Sequence, residues 1–571
     1  MSIARNVELP KAGARMPKFA AYIPAALAAA FVLYIAAIYG VCYLAPGYGL
    51  FHDDGIYLVT AKSLAEGTGY KIVSLPSAIP QTKYPPVFPV LLAGVWKIFP
   101  HFPENTFALK LVPLLSMLGW MWLSYILLRR ISGSPTVCRC IILLTAASPT
   151  VVYFSVTLLS EMTFGCLLSA ALLLLTCLHE EETSRARTVL LASVLTSATI
   201  LTRMAGLPLV FAGALPLLLR RKTRQAVMYL LTTVAMLLPW LAWARHAHPP
   251  PNSLEAYYSG SNYESWNLFA NFTWRQRMTV VLHNLILMLG SPGFLMAGMH
   301  PLGWGAVLWL LLVLSLAFFT VYGLFLCLSK GITPLNLFVL FYAALILLWV
   351  FPPVRFMIPL LPLLLYFCYL AIRHFFGTVI GSPSGAKVAG QCCVIVLALF
   401  LVRGLSSQAR KTMQVRAVAF PNEENDDWNE ITSLSRWVTG NTPEDAILAG
   451  NLDPVWFLST GRKSVRGFLA RPFEVFYSAN PRDPLGTYSE FVQILLHERA
   501  DYLMRTPDGN YGEAKYMNGM IDRLASDYPD AVTLQKQGQD NTYRIYRIDR
   551  VKLASDFKNG SKPKSTPPAV E

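Results

Sequence analysis

The sequence predicts a mainly α protein: a polytopic bundle of about eleven transmembrane helices, with interfacial helices on its outer face and a small α/β domain outside the membrane. Two observations support this fold class. Hydrophobic residues make up 54% of the 571 residues, and charged residues only 14%. Apolar runs of about twenty residues, long enough to cross a hydrocarbon core of about 30 Å, recur between residues 21 and 406. This composition excludes an ordinary soluble enzyme.

The length of each apolar run decides whether it is expected to cross the membrane. The runs 138–179 and 188–219 are nearly continuous, so their internal turns allow eleven to thirteen spans. The stretches 86–99 and 278–290 are too short for an easy crossing, and we expect interfacial helices there. The eleven predicted spans are 21–45, 106–130, 138–157, 158–179, 188–203, 204–219, 225–245, 303–328, 333–351, 354–373 and 388–406.

Basic residues near the span ends predict the orientation. They gather in the N-terminal tail 1–20 and at 129–139, 185–187, 220–224 and 373–387. By the positive-inside rule this side is the cytoplasm, so the loops 46–105 and 246–302 and the chain after residue 406 lie outside. The net charge of +15 then comes largely from inner-leaflet anchors and does not indicate a nucleic-acid partner. Compact loops and outer parts without cysteine favour a bacterial inner membrane, with the C-terminal domain in the periplasm.

The composition changes after the last predicted span, which ends the transmembrane module at 21–406, and residues 407–555 are expected to form a periplasmic α/β domain. About 140 residues are enough for a separate hydrophobic core. The tail 556–571 is rich in Lys, Ser and Pro and is expected to be disordered. The predicted elements of the domain are a helix at 425–440, strands at 446–449 and 501–504, a helix at 511–528 and a hairpin at 531–548.

Asp53 and Asp54 follow the first span directly and begin the candidate site. An aspartate before Gly55 would cap a surface helix, and this structural role is the simpler interpretation. A cap needs only one carboxylate, so the other could act as a base at the lipid–water boundary. Lys83 precedes the proline-rich return to the bilayer; it could snorkel or pair with a lipid phosphate.

Three further ionisable residues fall at the outer ends of predicted spans. Glu161 lies at or just inside such an end, where ionisable groups are expensive and indicate function; a polar interfacial loop is the alternative. Arg203 and Arg355 break the positive-inside trend, which favours a carboxylate partner or a bound anion. His246 and His248 have a spacing that could bind a metal, but no third ligand is nearby. No P-loop, GxSxG or HExxH motif supports ATP-driven transport or hydrolysis.

The run HDDGIYLVTAKSLAEGTGY at 52–70, followed by KYPPVFPVLLAG at 83–94, resembles the first outer loop of the GT-C superfamily. These are lipid-phosphosugar-dependent glycosyltransferases and include protein mannosyltransferases and aminoarabinose transferases that act on lipid A. The resemblance continues in order along nearly the whole chain. Its other segments are LLSEMTF, LTRMAGLPL, LPWLAWARH, PPVRFMIPLLP, TPEDAILAGN and FLSTGRKSVRG.

The resemblance implies roles for particular residues. Asp53 matches the catalytic base of the family, and Asp54 stands where the family often has Glu, so its role stays open. Lys83 and Arg355 match best the basic residues that hold the lipid phosphate in the family. Together with the residues singled out above, the candidate catalytic residues are Asp53, Asp54 and Glu161; the candidate donor-phosphate ligands are Lys83, Arg203 and Arg355; and the candidate substrate-binding residues are His52, Tyr57 and Tyr84. Asp453, Trp456 and Arg462 are expected in exposed loops of the outer domain.

The implied reaction moves a sugar from a polyprenyl-phosphate donor to a hydroxyl of a protein, lipid or glycan acceptor at the outer face, by an inverting single displacement. No cofactor is expected, and nothing in the sequence supports a divalent metal. The main alternative is a transporter or flippase of lipid-linked sugars that uses the same charges. That alternative predicts charged residues near mid-bilayer and repeat symmetry, which the sequence lacks. A membrane scaffold would leave Glu161, Arg203 and Arg355 unexplained.

Overall fold

We describe the protein from a computed structural model. The described residues are 18–45, 47–49, 51–180, 185–249, 253–259, 268–298, 306–379, 381, 383–415, 427–507, 513–538 and 542–559. Most of the two predicted terminal tails, 1–20 and 556–571, therefore lies outside the described residues. One described piece corrects a prediction, because a helix runs to Lys558 where the disordered tail was expected to begin at residue 556.

The membrane part is a bundle of α-helices, as predicted. Its first half comprises α1 (Lys18–Tyr43), α2 (Asp53–Ala65), α3 (Val87–Ile98), α4 (Thr106–Ser132), α5 (Pro135–Ala146), α6 (Pro149–Ser155), α7 (Glu161–Glu180), α8 (Ala186–Ile200), α9 (Pro208–Leu219) and α10 (Thr223–His246). Its second half comprises α11 (Leu254–Ser259), α12 (Trp274–Ala297), α13 (Ala306–Leu328), α14 (Pro334–Leu347), α15 (Leu361–His374) and α16 (Pro383–Val415). Two 3₁₀ turns, Met204–Gly206 and Val354–Leu360, precede α9 and α15.

The helices agree with the predicted fold class, and the chain is an integral membrane protein. By length and composition, 8 helices in the described residues could cross a membrane, or 9 if α5 and α6, bent by 66°, form one span. Four further apolar helices are shorter: α3, α8, the segment Met204–Leu219 and α14. Each predicted span coincides with one of these elements, but their number in the bilayer stays a prediction.

The interfacial stretch predicted at 278–290 lies inside the longer helix α12. This helix has the length of a span, yet its middle contacts outer parts of the molecule. Asn284 donates a hydrogen bond to the backbone oxygen of Trp349 (2.8 Å) and accepts one from Tyr477 of the C-terminal domain (3.1 Å). The interfacial position of this stretch stays a prediction, because the whole of α12 is long and apolar enough to cross a membrane.

Small residues let the membrane helices approach closely, as is common where lipid replaces water. A Cβ atom on Gly323 of α13 would overlap the backbone oxygen of Phe367 in α15. Gly165 of α7 packs closely against the ring of Trp120 in α4. This close packing of α4 and α7 fixes the position of the first turn of α7, which begins at Glu161.

The C-terminal domain is the predicted α/β unit. Its elements are α17 (Asp427–Asn441), β1 (Ile447–Gly450), α18 (Asp453–Thr460), β2 (Lys463–Val465), α19 (Pro472–Phe476), α20 (Tyr488–His497), β3 (Tyr502–Arg505), α21 (Ala514–Asp527), β4 (Val532–Gln537), β5 (Arg544–Ile548) and α22 (Arg550–Lys558). The sheet has the strand order β2-β1-β3-β5-β4; β1 is parallel to β2 and β3, whereas β5 is antiparallel to β3 and β4. The sequence patterns did not predict β2, α18, α19, α20 and α22.

The contact between α13 and α15 should not tolerate a methyl group. We expect Gly323→Ala to lower the free energy of unfolding by about 1–3 kcal/mol, because the added atom forces two backbones apart. Gly40→Ala in α1 is the matched control, since a Cβ atom at that position would have no neighbour within 4 Å among the described residues. Thermal unfolding in detergent micelles measures both, and equal unfolding temperatures would contradict the close packing.

Candidate active site

Asp53 is the first residue of α2 and the centre of the site. Its carboxylate accepts hydrogen bonds from the hydroxyl of Tyr84 and from Arg355 Nη1, the latter at 2.8 Å. Tyr84 precedes α3, and Arg355 belongs to the 3₁₀ turn before α15. Three segments far apart in the sequence therefore meet at one carboxylate whose side chain is 29% exposed.

Glu161 begins α7 and joins the two arginines. Its Oε1 accepts hydrogen bonds from Arg203 Nη1 (2.6 Å) and from Arg355 Nε, and the side chain is 1% exposed. Arg355 thus bridges Glu161 and Asp53. Its third nitrogen, Nη2, is buried and makes no hydrogen bond to the described residues. A buried guanidinium N–H without a protein acceptor is a ready donor for an anion.

Aromatic rings and a hydroxyl fix the orientation of the arginines. The guanidinium of Arg203 lies 5.0 Å from the ring centroid of Phe356, and that of Arg355 lies 5.8 Å from the rings of both Phe51 and Phe154. Such cation–π contacts favour planar guanidinium groups. Ser160 accepts a hydrogen bond from Arg203 Nη1 at 3.1 Å.

Tyr57 and Tyr84 form the wall beside Asp53. Their ring centroids are 4.8 Å apart, and the hydroxyl of Tyr57 is 3.0 Å from Ser160 Oγ. Burial, and secondly the charge of Asp53, raise the pKa of Tyr84 well above its ordinary value. Tyr84 therefore remains a hydrogen-bond donor to the carboxylate.

Lys83 lies at the same carboxylate, on the loop that leads into α3. The side-chain oxygen of Gln81 accepts hydrogen bonds from the backbone N–H groups of Lys83 (2.8 Å) and Tyr84 (3.2 Å), which shapes this loop. Burial raises the pKa of Asp53, but the charges of Arg355 and Lys83 and the hydroxyl of Tyr84 outweigh it and hold that pKa below its ordinary value. Asp53 is therefore ionised.

The charges of the site do not cancel. Two carboxylates, Asp53 and Glu161, face three cations, Arg203, Arg355 and Lys83. Counted over these five side chains one net positive charge remains, and Arg355 Nη2 adds N–H groups that have no acceptor among the described residues. The arrangement is therefore suited to bind a monoanion next to an ionised carboxylate.

Asp54 does not join this cluster. Its side chain accepts hydrogen bonds from the backbone N–H groups of Phe51 (2.9 Å) and Gly55 (3.0 Å) and is almost fully buried. Burial raises the pKa of Asp54 to about 6. The two adjacent aspartates thus differ in position: Asp54 stabilises the turn before α2, and Asp53 faces the arginines.

Several predicted exposed residues are in fact buried. Asp453 and Trp456 on α18 are inaccessible to solvent, and Arg462 is nearly so. The expectation of exposed loops is wrong. Asp453 accepts a hydrogen bond from the hydroxyl of Tyr258, and Arg462 donates to the backbone oxygens of Thr439 and Thr442. His52 lies beside Asp53 but contacts Asp453. Polar sequence composition alone does not reveal such long-range pairing.

Some contributors to the site were not predicted, and the prediction about metals stays open. Ser160, Phe51, Phe154 and Phe356 were missed as site residues; Ser160 and Phe356 adjoin predicted charges in the chain, which was the available signal. In the part of the chain that the structure describes, no three His, Cys, Asp or Glu side chains lie together as metal ligands. That the protein needs no metal stays a prediction.

Comparisons with known proteins agree with the resemblance found in the sequence. Residues 83–243 match the family described as dolichyl-phosphate-mannose-protein mannosyltransferase. A search of curated proteins finds no significant match. The family match includes Lys83, Tyr84, Glu161 and Arg203, so it covers one half of the candidate site.

Solved structures show the same fold at low sequence identity. ArnT from Cupriavidus metallidurans in the apo state aligns with a TM-score of 0.53 and 13% identity, over 93% of this chain and 99% of that chain. The same protein bound to undecaprenyl phosphate aligns with a TM-score of 0.55 and 12% identity, over 91% of this chain and 98% of that chain. The likeness therefore extends through the membrane part and the C-terminal domain.

The charge of Glu161 should be essential to the fold around the site. We expect Glu161→Gln to lower the free energy of unfolding by about 3–5 kcal/mol, because it leaves two partly buried arginines without their shared carboxylate. Glu180→Gln at the other end of α7 is the matched control: its pair with Arg130 is half-exposed and should contribute less than about 1 kcal/mol. Equal unfolding temperatures of the two variants would contradict the central role of Glu161.

Proposed function

We propose that this chain is a membrane glycosyltransferase of the GT-C type, which transfers a sugar from a polyprenyl-phosphate donor to a hydroxyl of a protein, lipid or glycan acceptor. The family match over residues 83–243 and the shared fold of ArnT support this proposal. One observation carries the proposal. The guanidinium of Arg355 donates a hydrogen bond to the ionised carboxylate of Asp53. The other terminal nitrogen of this guanidinium, Nη2, is buried and has no acceptor among the described residues. A phosphodiester monoanion beside a base fits this geometry and its net charge.

The donor phosphate is expected to bind between Arg355, Arg203 and Lys83. Guanidinium groups bind phosphate oxygens through two parallel hydrogen bonds, and Arg355 Nη2, which carries two N–H groups, has no acceptor among the described residues. As the bond between the anomeric carbon and the phosphate oxygen breaks, negative charge grows on the leaving phosphate. Cations that are already oriented by Glu161 stabilise that charge with little reorganisation. ArnT, which shares the fold, was solved with undecaprenyl phosphate bound, and this supports a polyprenyl-phosphate ligand.

Asp53 is the proposed general base. Arg355 and Tyr84 hold its carboxylate and keep its pKa low, so it accepts protons poorly in this arrangement. A bound phosphate competes with Asp53 for Arg355, which lets burial raise the pKa of the carboxylate. Asp53 then takes the proton from the acceptor hydroxyl as the oxygen attacks the anomeric carbon. Attack opposite to the phosphate in one displacement inverts the configuration.

The position of the site suits a donor whose tail stays in the bilayer. Asp53 and Lys83 lie in the loop after α1, while Glu161 and Arg355 lie at the ends of membrane helices. Basic residues at the opposite helix ends favour a cytoplasmic location for that side. The proposed active site therefore faces the outer side, the periplasm if the membrane is the inner membrane of a bacterium. On that side of the membrane no nucleotide sugar is needed, because the polyprenyl phosphate is the leaving group of the donor.

The transfer reaction tests the proposal directly. Purified protein in nanodiscs is given radiolabelled polyprenyl-phosphate sugars and a membrane extract as acceptor. We expect Asp53→Asn to lower turnover by about 10²–10⁴-fold, because a general base contributes about that much. Asp530→Asn, an exposed aspartate of the C-terminal domain, is the matched control. Full activity of Asp53→Asn would exclude Asp53 as the base; labelled lipid that crosses the bilayer of proteoliposomes unconsumed would favour a transporter.

The pH dependence should show the influence of Arg355 on Asp53. Since neighbouring cations hold the pKa of Asp53 down, the acidic limb of kcat/KM for the wild type should lie below about pH 4, the ordinary value for aspartate. Arg355→Gln removes the largest opposing charge, so burial dominates and the limb moves to higher pH. Lys83→Gln should shift it in the same direction by less. Initial rates across a pH series measure this, with Arg471→Gln as control; an unmoved limb would contradict the coupling.

A further inference from the structure

The residue before the proposed base has an unusual backbone conformation. His52 has φ 61° and ψ −53°, and the backbone N–H of Asp53 donates a hydrogen bond to the backbone oxygen of Phe51 at 2.7 Å. This three-residue γ-turn with positive φ is rare and strained for a residue other than glycine. Such strain persists only where surrounding contacts impose it, so the turn that presents Asp53 must be held from outside.

The His52 side chain lies against buried polar residues of the C-terminal domain, in an electrostatic contact and not a hydrogen bond. The ring nitrogen Nε2 lies 3.5 Å from Asp453 Oδ1, and both side chains are largely buried. Asp453 also contacts Arg466 Nε at 3.4 Å. Burial, and secondly the charge of Arg466, lower the pKa of His52, so the imidazole is neutral at pH 7. We define these three residues together with Tyr258 as the His52 cluster.

Tyr258 brings a third segment into the His52 cluster. This residue lies on α11, in the outer loop between α10 and α12. Its hydroxyl donates a hydrogen bond to Asp453 Oδ2 (2.8 Å) and accepts one from the backbone N–H of Arg466 (2.8 Å). Its ring centroid is 5.6 Å from that of His52. Three segments thus meet at His52: the turn before α2, the C-terminal domain and the outer loop that carries α11.

The packing on the other side of Asp53 leads to the same domain. A Cβ atom on Gly55 would lie 2.6 Å from Pro454 Cβ, and one on Gly49 would lie 2.7 Å from Val455. The start of α2 therefore rests directly on α18, next to Asp453. Because both neighbours of the Asp53–Asp54 pair contact α18, a shift of the C-terminal domain would move the Asp53 carboxylate.

We propose that His52 is a positioning residue, through which the C-terminal domain and the α11 segment set the location of the Asp53 carboxylate. The inference rests on the proposed function, because it concerns the base of that reaction. His52 does not contact the arginines that are proposed to bind phosphate. The C-terminal domain is then a working part of the active site, in addition to any role in covering it.

The positioning role predicts a change in turnover that leaves donor affinity nearly unaltered. His52→Ala should lower kcat by about tenfold or more, since a displacement of about 1 Å can reduce a rate by about 10²-fold, while KM for the donor changes less than about threefold. His52→Asn should recover most of the activity, because asparagine tolerates positive φ and can donate to Asp453. Asp453→Ala should resemble His52→Ala, and the double variant should lose little more. Steady-state transfer kinetics measure all four.

Controls separate positioning from simple loss of folding. His497→Ala changes a histidine of the C-terminal domain whose side chain is 80% exposed, and this variant should keep wild-type kinetics. Tyr258→Phe removes one hydroxyl from the His52 cluster and should lower kcat with little change of donor KM. Its unfolding temperature should fall less than that of Asp453→Ala, because the Asp453 carboxylate loses only one hydrogen bond. If His52→Ala fails to fold, this milder variant decides the question.

Two results would overturn the inference, and a third is distinct from them. Wild-type kcat in His52→Ala or, where that variant does not fold, in Tyr258→Phe would remove the positioning role. A parallel rise of donor KM and fall of kcat, without recovery in His52→Asn, would show general disruption. Wild-type protein that consumes no donor would instead refute the proposed function, and the inference with it.

Discussion

The active site depends on one buried carboxylate that two arginines share. Glu161 could not remain ionised in this position without a counter-charge, because burying an unpaired charge is strongly unfavourable. Arg203 and Arg355 provide that charge from different parts of the helix bundle. In return, Glu161 fixes both guanidinium groups before any ligand binds. The net positive charge beside Asp53 follows from this pairing, as does the low pKa of Asp53.

The second constraint is the seam between the membrane part and the α/β domain. The turn that carries Asp53 rests on α18 through Gly55 and Pro454, and His52 lies against Asp453. Further along the seam, the backbone N–H of Ser464 in β2 donates to the backbone oxygen of Ser74 in the first outer loop. The proposed base is therefore placed by the soluble domain, whereas its cationic partners are placed by the membrane helices.

The sequence predicted the parts of this arrangement that have local signals. Hydrophobic length marked the helices, and charges that break the positive-inside trend marked Arg203 and Arg355 as members of one site. The different environments of Asp53 and Asp54 could not be predicted, because the backbone turn at residues 51–53 decides which of the two carboxylates faces the arginines. The burial of Asp453 was mispredicted for a related reason. Its partners His52 and Tyr258 lie in the turn before α2 and on α11, and no periodicity in the chain predicts a contact between such distant segments.

In the proposed mechanism Arg355 releases Asp53 and binds the phosphate of the lipid donor. Cryo-electron microscopy of the protein in nanodiscs with undecaprenyl phosphate tests this exchange most directly. We expect the phosphate within hydrogen-bond distance of Arg355 and close to Arg203 and Lys83, with Asp53 no longer bonded to Arg355. Glu161 should keep both arginines. A headgroup bound elsewhere, with the pair of Asp53 and Arg355 intact, would contradict the proposed role of this cluster.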